Sequence, residues 1–393
     1  MPDDRALVYI DNGHDPAAPG THVLIIGVGR YEFGKGANEA PVAADLRQLT
    51  SPPISARAIA DWFIKSFRNQ QKPLTSVAML VSEDPVKTYE PPVPGARAVR
   101  VPPASLQNVK EATAHWATRV GSNSNNLAVF YFCGHGASMG QQAALLLSDF
   151  GKPAAEYEGA IDLSTLRGTM KNSPAIQQAF LLDCCRTRAD DLYANEPMIG
   201  SRIVSIPAVS RGHQTPAQQF VLFPAIDGEQ AFGIQNRVSA FTSSILDAVQ
   251  FAAGDYSTGT WKTTTAGILS HVDRLVQHRV PATQLQRSKP NALDASSFDF
   301  NEIPEPVPTR SVVTLSDLSI WGNVELSAAN VAGNSPALKK HSKDFVPETC
   351  CTFDVAEGAW RFSGALPHSP PTIGPQERTV RTPVAYVKLE VTS

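Results

Sequence analysis

A histidine and a cysteine stand where two apolar runs end, and together they could perform nucleophilic chemistry. The runs lead into Cys133-Gly134-His135-Gly136 and Asp183-Cys184-Cys185-Arg186, so that His135 and Cys185 are 50 residues apart. Both runs have strand length and are aromatic or branched rather than amphipathic, which predicts buried parallel strands. Because the carboxyl ends of parallel strands converge on one crevice, we expect His135 and a cysteine to lie side by side. A thiol nucleophile needs such a nearby imidazole as its base.

The segments around these residues alternate between strand-like and helix-like patterns. Strands are predicted at 22–29, 76–81, 127–132, 143–147, 179–182 and 220–223, and helices at 55–68, 105–120, 161–170, 240–251 and 264–279. Such alternation predicts an α/β fold, with a mostly parallel sheet flanked by helices. We assign residues 1–280 to this domain.

The composition changes after residue 280. Several prolines mark a linker over residues 281–310. Residues 311–393 show strand-like alternation with many turn residues, which predicts a small C-terminal β-domain, interpreted as a sandwich. The sequence indicates no function for it.

The two chemical segments resemble those of the caspase and metacaspase family of cysteine endopeptidases, whose histidine lies about 50 residues upstream of the cysteine. The metacaspase pattern Tyr-Ser-Gly-His-Gly is similar to residues 131–136, with Phe132-Cys133 in the place of Ser. The pattern Asp-Ser-Cys is similar to residues 183–185, and an Arg follows as it does in caspases, whereas Thr187-Arg188 departs from the family. Segments 221–230 and 239–242 resemble the family's smaller subunit, so the resemblance covers roughly residues 20 to 280.

The resemblance implies roles for individual residues. Cys185 would be the nucleophile and His135 its acid–base partner, and the N–H groups of Gly136 and Cys185 would form the oxyanion hole. Side chains alternate along a strand, so Cys184 faces away from Asp183 and is expected in the core. The expected substrate-binding residues are Asp183, Cys133, Asp227 and Glu229. In the metacaspase pattern the residue matching Asp183 lies at the floor of the pocket for the residue before the cut, which favours Arg or Lys there.

Other interpretations stay open for several of these residues. Asp183 could be a buried anchor of its loop, and a solvated turn explains Asp227 and Glu229 almost as well. The chain as a whole could be a caspase-like binding module that does not cleave, or a protease switched on by another protein in a signalling cascade. Residues 29–36 nearly match a phosphate-binding loop, but Gly36 replaces the hydroxyl residue that should reach magnesium.

Composition and charge narrow the partners. The net charge is −3, which gives no electrostatic reason to expect nucleic acid, and no apolar run approaches the length of a membrane span. We expect no signal peptide, and five cysteines without a disulfide framework favour a reducing cytoplasm. No cofactor is expected, although acidic residues near the positions of metacaspase calcium ligands could bind calcium: Asp149, Asp162, Asp190 and Asp191. Protein substrates in a bacterial signalling, defence or cell-death pathway are what the resemblance implies.

A long segment between the nucleophile strand and the next strand suggests control by cleavage. Residues 186–219 have little periodicity and many turn formers, and the family matures by cutting its corresponding linker. We expect a cut after Arg202 or after Arg211, with Arg211-Gly212 the better site, because glycine after the cut leaves the chain unhindered.

Overall fold

The computed structural model describes residues 4–139, 142–184, 187–188, 199–207, 216–224, 235–252, 254–279, 289–290, 296–304, 309–333, 336–346, 348–367, 371–381 and 384–392. These residues belong to two compact units. The first comprises residues 1–243 and 288–298, and the second comprises residues 244–287 and 299–393.

A seven-stranded sheet is the main element of the first unit. In spatial order its strands are β1 (Leu7–Ile10), β3 (Leu74–Ser82), β2 (Thr21–Val28), β6 (Leu127–Gly134), β10 (Gln177–Cys184), β12 (Gln218–Phe223) and β15 (Lys289–Pro290). The five inner strands are parallel, and each edge strand is antiparallel to its neighbour. Every residue of β2 and β6 is buried, as expected for strands covered on both faces. The predicted α/β class with a mostly parallel sheet is confirmed.

Helices α1 (Ser51–Ser66), α2 (Leu106–Val120) and α3 (Leu163–Met170) cover the sheet. Trp116 of α2 shares a core cluster with Phe130 and Phe132 of β6. On the opposite face, a Cβ added at Gly27 would lie 2.8 Å from the Cβ of Ala56 in α1. Because side chains alternate along strands, the odd-numbered residues of β6 share the face of α1.

Local chemistry sets where these helices begin. The Ser105 side chain accepts a hydrogen bond from the Asn108 N–H at 3.5 Å, and the Asp162 side chain accepts from the Thr165 N–H at 3.1 Å. Both pairs satisfy N–H groups that the first helical turn leaves without partners. Helix α1 instead has prolines in its first turn, where the missing N–H costs nothing.

A smaller sheet follows the carboxyl ends of β6 and β10. Its spatial order is β11 (Thr187–Arg188), β7 (Gly136–Met139), β8 (Gln142–Leu146) and β9 (Ala160–Asp162). The first two of these strands are parallel. A separate two-stranded ribbon joins β4 (Thr88–Tyr89) to β5 (Val99–Arg100), and a 3₁₀ turn lies at Pro41–Ala43.

Helix α4 (Ala240–Asp247) begins in the first unit and continues into the second, followed by a π-helical stretch over Ala248–Ala252. The second unit contains a three-stranded sheet of β13 (Gly254–Asp255), β14 (Lys262–Thr264) and β16 (Asp299–Glu302), and helix α5 (Thr265–Arg279). The predicted domain boundaries at 280 and 310 stay a prediction. The two compact units divide at residue 243, and the paired strands β14 and β16 both belong to the second unit.

The rest of the second unit is β-structure. One sheet holds β20 (Cys351–Val355), β17 (Thr309–Leu315) and β24 (Val384–Leu389), and another holds β19 (Leu338–His341), β18 (Glu325–Asn330), β21 (Gly358–Ala365) and β23 (Gln376–Val380). Strands β22 (Thr372–Ile373) and β25 (Val391–Thr392) pair separately, and 3₁₀ turns lie at Leu318–Ile320 and Ser342–Phe345. Both larger sheets contribute to one apolar core, in which the Phe353 and Phe362 ring centroids are 6.2 Å apart.

Within the described part of the chain, no helix has both the length and the apolar character that crossing a membrane requires.

Candidate active site

His135 lies at the carboxyl end of β6, between two strands. Strand β6 ends at Gly134 and β7 begins at Gly136, so the histidine occupies the one-residue step from the large sheet to the small sheet. Glycine is favoured at residue 134 for a steric reason, because a Cβ at this position would lie 2.9 Å from the Tyr31 hydroxyl oxygen. The absence of a side chain at residue 134 therefore leaves room for the Tyr31 hydroxyl beside the end of the strand.

The imidazole of His135 is oriented by a backbone carbonyl. Its Nε2 atom lies 2.8 Å from the carbonyl oxygen of Arg47. A carbonyl oxygen only accepts hydrogen bonds, so Nε2 must carry the proton, and Nδ1 is then the basic nitrogen of the neutral ring. Burial lowers the pKa of His135 below its ordinary value, and the Arg47 carbonyl opposes that shift. The ring is therefore neutral at neutral pH and able to accept a proton at Nδ1.

Tyr31 fixes both the backbone and the ring of His135. Its hydroxyl accepts a hydrogen bond from the His135 N–H at 2.7 Å, and the two ring centroids are 4.9 Å apart with planes inclined by 48°. Tyr31 itself is fully buried. Tyr31 follows the carboxyl end of β2, and His135 follows the carboxyl end of β6. Since these two strands are parallel neighbours, the two residues lie at the same end of the sheet.

Gln48 holds Tyr31 and Arg47 in place through its side-chain amide. The Gln48 Oε1 accepts the Tyr31 N–H at 2.8 Å, and Nε2 donates to the carbonyls of Tyr31 and Lys35, both at 3.1 Å. The flanking Leu49 N–H donates to the Gly29 carbonyl at 2.8 Å. The Arg47 carbonyl therefore belongs to a segment that is bonded along its length to the loop carrying Tyr31.

Strand register brings the end of β10 beside His135. Cys184 pairs with Gly134 at the end of the large sheet, and Thr187 pairs with Ala137 where the small sheet begins. In the sequence, Cys185 and Arg186 come between Cys184 and Thr187. In the other segment, His135 and Gly136 come between Gly134 and Ala137. Cys185 itself lies outside the described residues, as does Arg186.

The other predicted residues of β10 and β6 occupy opposite faces of the sheet. Cys184 is 2% exposed and belongs to the core cluster that contains Phe130, which is the place the sequence predicts for it. Asp183 pairs with Cys133 and faces the α1 side. Gly136 pairs with Leu145 of β8.

Asp183 is buried among hydroxyl and thiol groups. The hydroxyls of Ser239 and Thr242 both donate to its Oδ2 atom, the latter at 2.5 Å, and the Cys133 thiol is also hydrogen-bonded to the carboxylate. Burial raises the pKa of Asp183 above its ordinary value, and these three hydrogen bonds oppose the rise. Burial and the neighbouring carboxylate raise the pKa of Cys133 well above the usual thiol value. Cys133 therefore stays a protonated donor rather than a thiolate.

The remaining predicted site residues either make other contacts or lie outside the described residues. Asp227 and Glu229 lie outside the described residues, as do Asp190 and Asp191. Asp149 accepts hydrogen bonds from the Leu106 N–H at the start of α2, and Asp162 caps α3. Among the described residues, no three His, Cys, Asp or Glu side chains are grouped closely enough to hold a metal ion.

Sequence reasoning missed five residues of this site: Tyr31, Arg47, Gln48, Ser239 and Thr242. Tyr31 lies in the glycine-containing segment 29–36 that resembles a phosphate-binding loop, and its position after a buried strand was a usable signal. Ser239 and Thr242 occur in the segment that resembles the smaller subunit, with spacing that places both on one face of a helix start. Arg47 acts through its carbonyl, which leaves no trace in the sequence.

Comparison with known proteins identifies the family of this chain. A family model described as the caspase domain matches residues 21–305. The chain therefore belongs to the caspase-domain family of peptidases. It is 27% identical over 214 residues to "Uncharacterized protein y4kE" of Sinorhizobium fredii (strain NBRC 101917 / NGR234), covering 50% of this chain and 59% of that protein. The chain thus spans less than two thirds of that relative. The crystal structure of caspase-1 from Spodoptera frugiperda aligns with a TM-score of 0.42 and 12% identity, covering 77% of this chain and 95% of that chain.

Proposed function

We propose that this chain is a cysteine endopeptidase that cleaves proteins after basic residues, Arg in preference to Lys. The observation that carries the proposal is the register at the strand ends, where Cys184 pairs with Gly134 and Thr187 pairs with Ala137. In the sequence, residues 185–186 come between Cys184 and Thr187, and residues 135–136 come between Gly134 and Ala137. The Nε2 bond to the Arg47 carbonyl adds support, because it directs the basic Nδ1 away from that carbonyl. A base whose pKa lies below the ordinary histidine value is unprotonated at neutral pH.

The proposed reaction proceeds by acyl transfer. His135 Nδ1 removes the Cys185 thiol proton, and the sulfur attacks the carbonyl carbon of the scissile peptide bond. The N–H groups of Gly136 and Cys185 stabilise the resulting oxyanion. His135 returns the proton to the leaving amine, which breaks the C–N bond and leaves a thioester. A water, deprotonated by His135, then hydrolyses the thioester and regenerates the thiol. This chemistry needs no cofactor.

Asp183 is the proposed acid of the pocket for the residue before the cut, with Cys133 beside it. In the described part of the chain no Lys, Arg or His forms an ion pair with Asp183; its partners there are hydroxyls and a thiol. A buried carboxylate without a cation is costly, so a substrate cation would be bound favourably. Asp227 and Glu229 are proposed as weaker additional contacts.

The cellular setting is proposed from the free cysteines and from the resemblance to the caspase and metacaspase family. The described cysteines Cys133, Cys184, Cys350 and Cys351 are all free thiols, which suits a reducing cytoplasm. We place the enzyme in a bacterial signalling, defence or cell-death pathway, acting on protein substrates, with a partner protein or linker cleavage as the activating event. The alternative is a caspase-like module that binds a partner without cleaving it.

A panel of fluorogenic peptides that differ only in the residue before the cut separates these two functions. We expect release of the fluorophore from Arg and Lys peptides and not from Asp or Leu peptides, measured with and without added calcium. Absence of cleavage under both conditions, by folded protein, would favour the binding module.

Cleavage of the 186–219 linker is expected after Arg211 rather than after Arg202. Arg202 is exposed, but Ile203 and Val204 beside it are buried, and the Ser201 N–H donates to the Ala160 carbonyl at 2.8 Å. A protease cuts exposed, extended chain, so this anchored segment resists it. Arg211 lies outside the described residues.

Intact mass spectrometry checks this processing. Active protein should appear as two fragments that meet at 211–212, whereas Cys185→Ala and Arg211→Gln should stay whole. The matched variant Arg202→Gln should be cut as efficiently as the wild type. A fragment ending at Arg202 would contradict the expectation.

Gln48→Leu is expected to lower kcat by about 10- to 100-fold with little change in KM, because a misplaced base loses its reacting geometry. The hydrogen bond to the Arg47 carbonyl raises the pKa of His135. Its loss should therefore lower that pKa and move the acid limb of the kcat/KM profile to lower pH. Steady-state kinetics from pH 5 to 8 measure both effects. Gln107→Leu, which removes a glutamine that bonds Glu111 at the surface, is the matched control. Equal profiles for the two variants would show that Gln48 has only a structural role.

A further inference from the structure

The carboxylate of Asp183 has one oxygen already occupied by the chain's own hydroxyls. Ser239 and Thr242 both donate to Oδ2. An ionised carboxylate oxygen offers about two lone-pair positions, so two donors saturate it. The Cys133 thiol is hydrogen-bonded to the same carboxylate. A ligand that approaches Asp183 is therefore left with the other oxygen, Oδ1, and shares the carboxylate with that thiol.

The two hydroxyls are themselves fixed, so they do not simply turn away from a ligand. The Ser239 side chain caps α4 by accepting the Thr242 N–H at 2.9 Å, and the Ser239 N–H donates to the Ser55 Oγ at 3.0 Å. The Tyr131 hydroxyl lies 2.7 Å from the Thr242 Oγ1. Because Thr242 donates its hydroxyl proton to Asp183, its Oγ1 is left as an acceptor for the Tyr131 hydroxyl. The result is a buried chain of hydrogen bonds directed toward Oδ2.

An arginine side chain binds a carboxylate best when its two N–H groups reach both oxygens in parallel. With Oδ2 occupied, a guanidinium can reach Oδ1 alone and gains little over the single ammonium of lysine. We propose that Ser239 and Thr242 are specificity-determining residues that make the pocket select positive charge while discriminating weakly between Arg and Lys. This inference rests on the proposed function, in which Asp183 binds the residue before the cut.

The consequence is a modest preference for Arg in the wild type, by less than about 10-fold in kcat/KM. Thr242→Val keeps the shape of the side chain and frees one lone-pair position of Oδ2. A hydrogen bond to a charged group is worth about one order of magnitude, so the Arg to Lys ratio should rise by about 10-fold. Thr242→Ser keeps the hydroxyl and should keep the wild-type ratio.

The pH dependence gives a second readout. Among the described residues, the titratable groups that face Asp183 are Cys133 and, through Thr242, Tyr131, whereas α4 contributes only hydroxyls. The Thr242 hydrogen bond lowers the pKa of Asp183. Its removal should therefore move the acid limb of kcat/KM for Arg peptides to higher pH, and Thr242→Ser should restore it.

The experiment measures kcat/KM for matched Arg and Lys peptides with wild type, Thr242→Val and Thr242→Ser. Thr113→Val, which removes a buried hydroxyl that bonds the Val109 carbonyl in α2, controls for loss of a buried hydroxyl elsewhere. Calorimetry measures the binding of Arg, Lys and norleucine peptides to Cys185→Ala protein, with and without Thr242→Val. It gives the preference for Arg over Lys as a ratio of affinities, without turnover.

Each outcome decides one question. The inference is supported if the ratio of kcat/KM for Arg peptides to kcat/KM for Lys peptides rises in Thr242→Val but not in Thr242→Ser or Thr113→Val. A wild-type ratio above about 100, or a ratio unchanged by Thr242→Val, overturns it while the proposed cleavage after basic residues stands. Protein that neither cleaves nor binds the basic peptides in preference to norleucine overturns both.

Discussion

Replacing Cys185 by alanine is expected to lower kcat/KM for basic peptides by about 10⁴-fold or more, because removal of a catalytic nucleophile leaves only binding and oxyanion stabilisation. Cys184→Ala should retain turnover close to that of the wild type, since this side chain is buried in the core. It should instead lower the free energy of unfolding by about 1 kcal/mol, as loss of a small buried group does. Peptide turnover and urea denaturation of both variants measure the two effects.

The pair is informative because the two cysteines are adjacent in sequence, Cys184 is buried in the core, and Cys185 is the proposed nucleophile. Cys184 ends a strand and pairs with Gly134, one residue before His135. Full activity of Cys185→Ala, or loss of activity in a stably folded Cys184→Ala, would contradict the assignment. His135→Ala should behave like Cys185→Ala, because the thiol then lacks its base.

Asp183→Asn is expected to lower kcat/KM for Arg peptides by about 10²- to 10³-fold, the usual cost of removing one partner from a buried charge pair. The amide keeps the shape and can still accept hydrogen bonds from Ser239 and Thr242, so the fold should survive. The loss should appear mainly in KM for basic peptides, and the preference over norleucine peptides should largely disappear.

Asp61→Asn is the matched control for this substitution. Asp61 lies on α1 and accepts a hydrogen bond from the Tyr89 hydroxyl at 2.8 Å. It should keep the wild-type preference. An Asp183→Asn enzyme that still prefers Arg would show that Asp183 is only an anchor for the start of α4 and that another acid selects the substrate.

Much of the sheet could be predicted from sequence because its strands are buried on both faces. The expected strand at 76–81 is observed at 74–82, and the expected helix at 105–120 is observed at 106–120. These elements carry strong local signals: continuous apolar residues in the strand, and a serine cap before the helix. The predicted helix at 240–251 ends earlier, at Asp247, and continues as a π-helical stretch. Hydrophobic spacing alone does not distinguish these two helical forms.

The position of His135 at the end of a buried strand was predictable, but the groups that hold its side chain were not. His135 depends on a carbonyl of Arg47 and on the Gln48 amide, which are 88 and 87 residues away in sequence. Such contacts are set by loop packing, and a backbone acceptor has no residue type to reveal it. Asp183 was predicted to be a pocket acid, but the hydroxyls that donate to its Oδ2 belong to Ser239 and Thr242 at the start of α4, more than 50 residues later.

The most direct test of the central claim is covalent labelling by a peptidyl electrophile with Arg at its reactive end. Its warhead reacts with an activated thiolate held at the site where the scissile carbonyl binds. Tandem mass spectrometry of the labelled, digested protein should locate one modification at Cys185, absent from Cys185→Ala and strongly slowed in His135→Ala. A label on Cys184 or Cys133 with Cys185 unmodified, or labelling at the same rate without His135, would contradict the account.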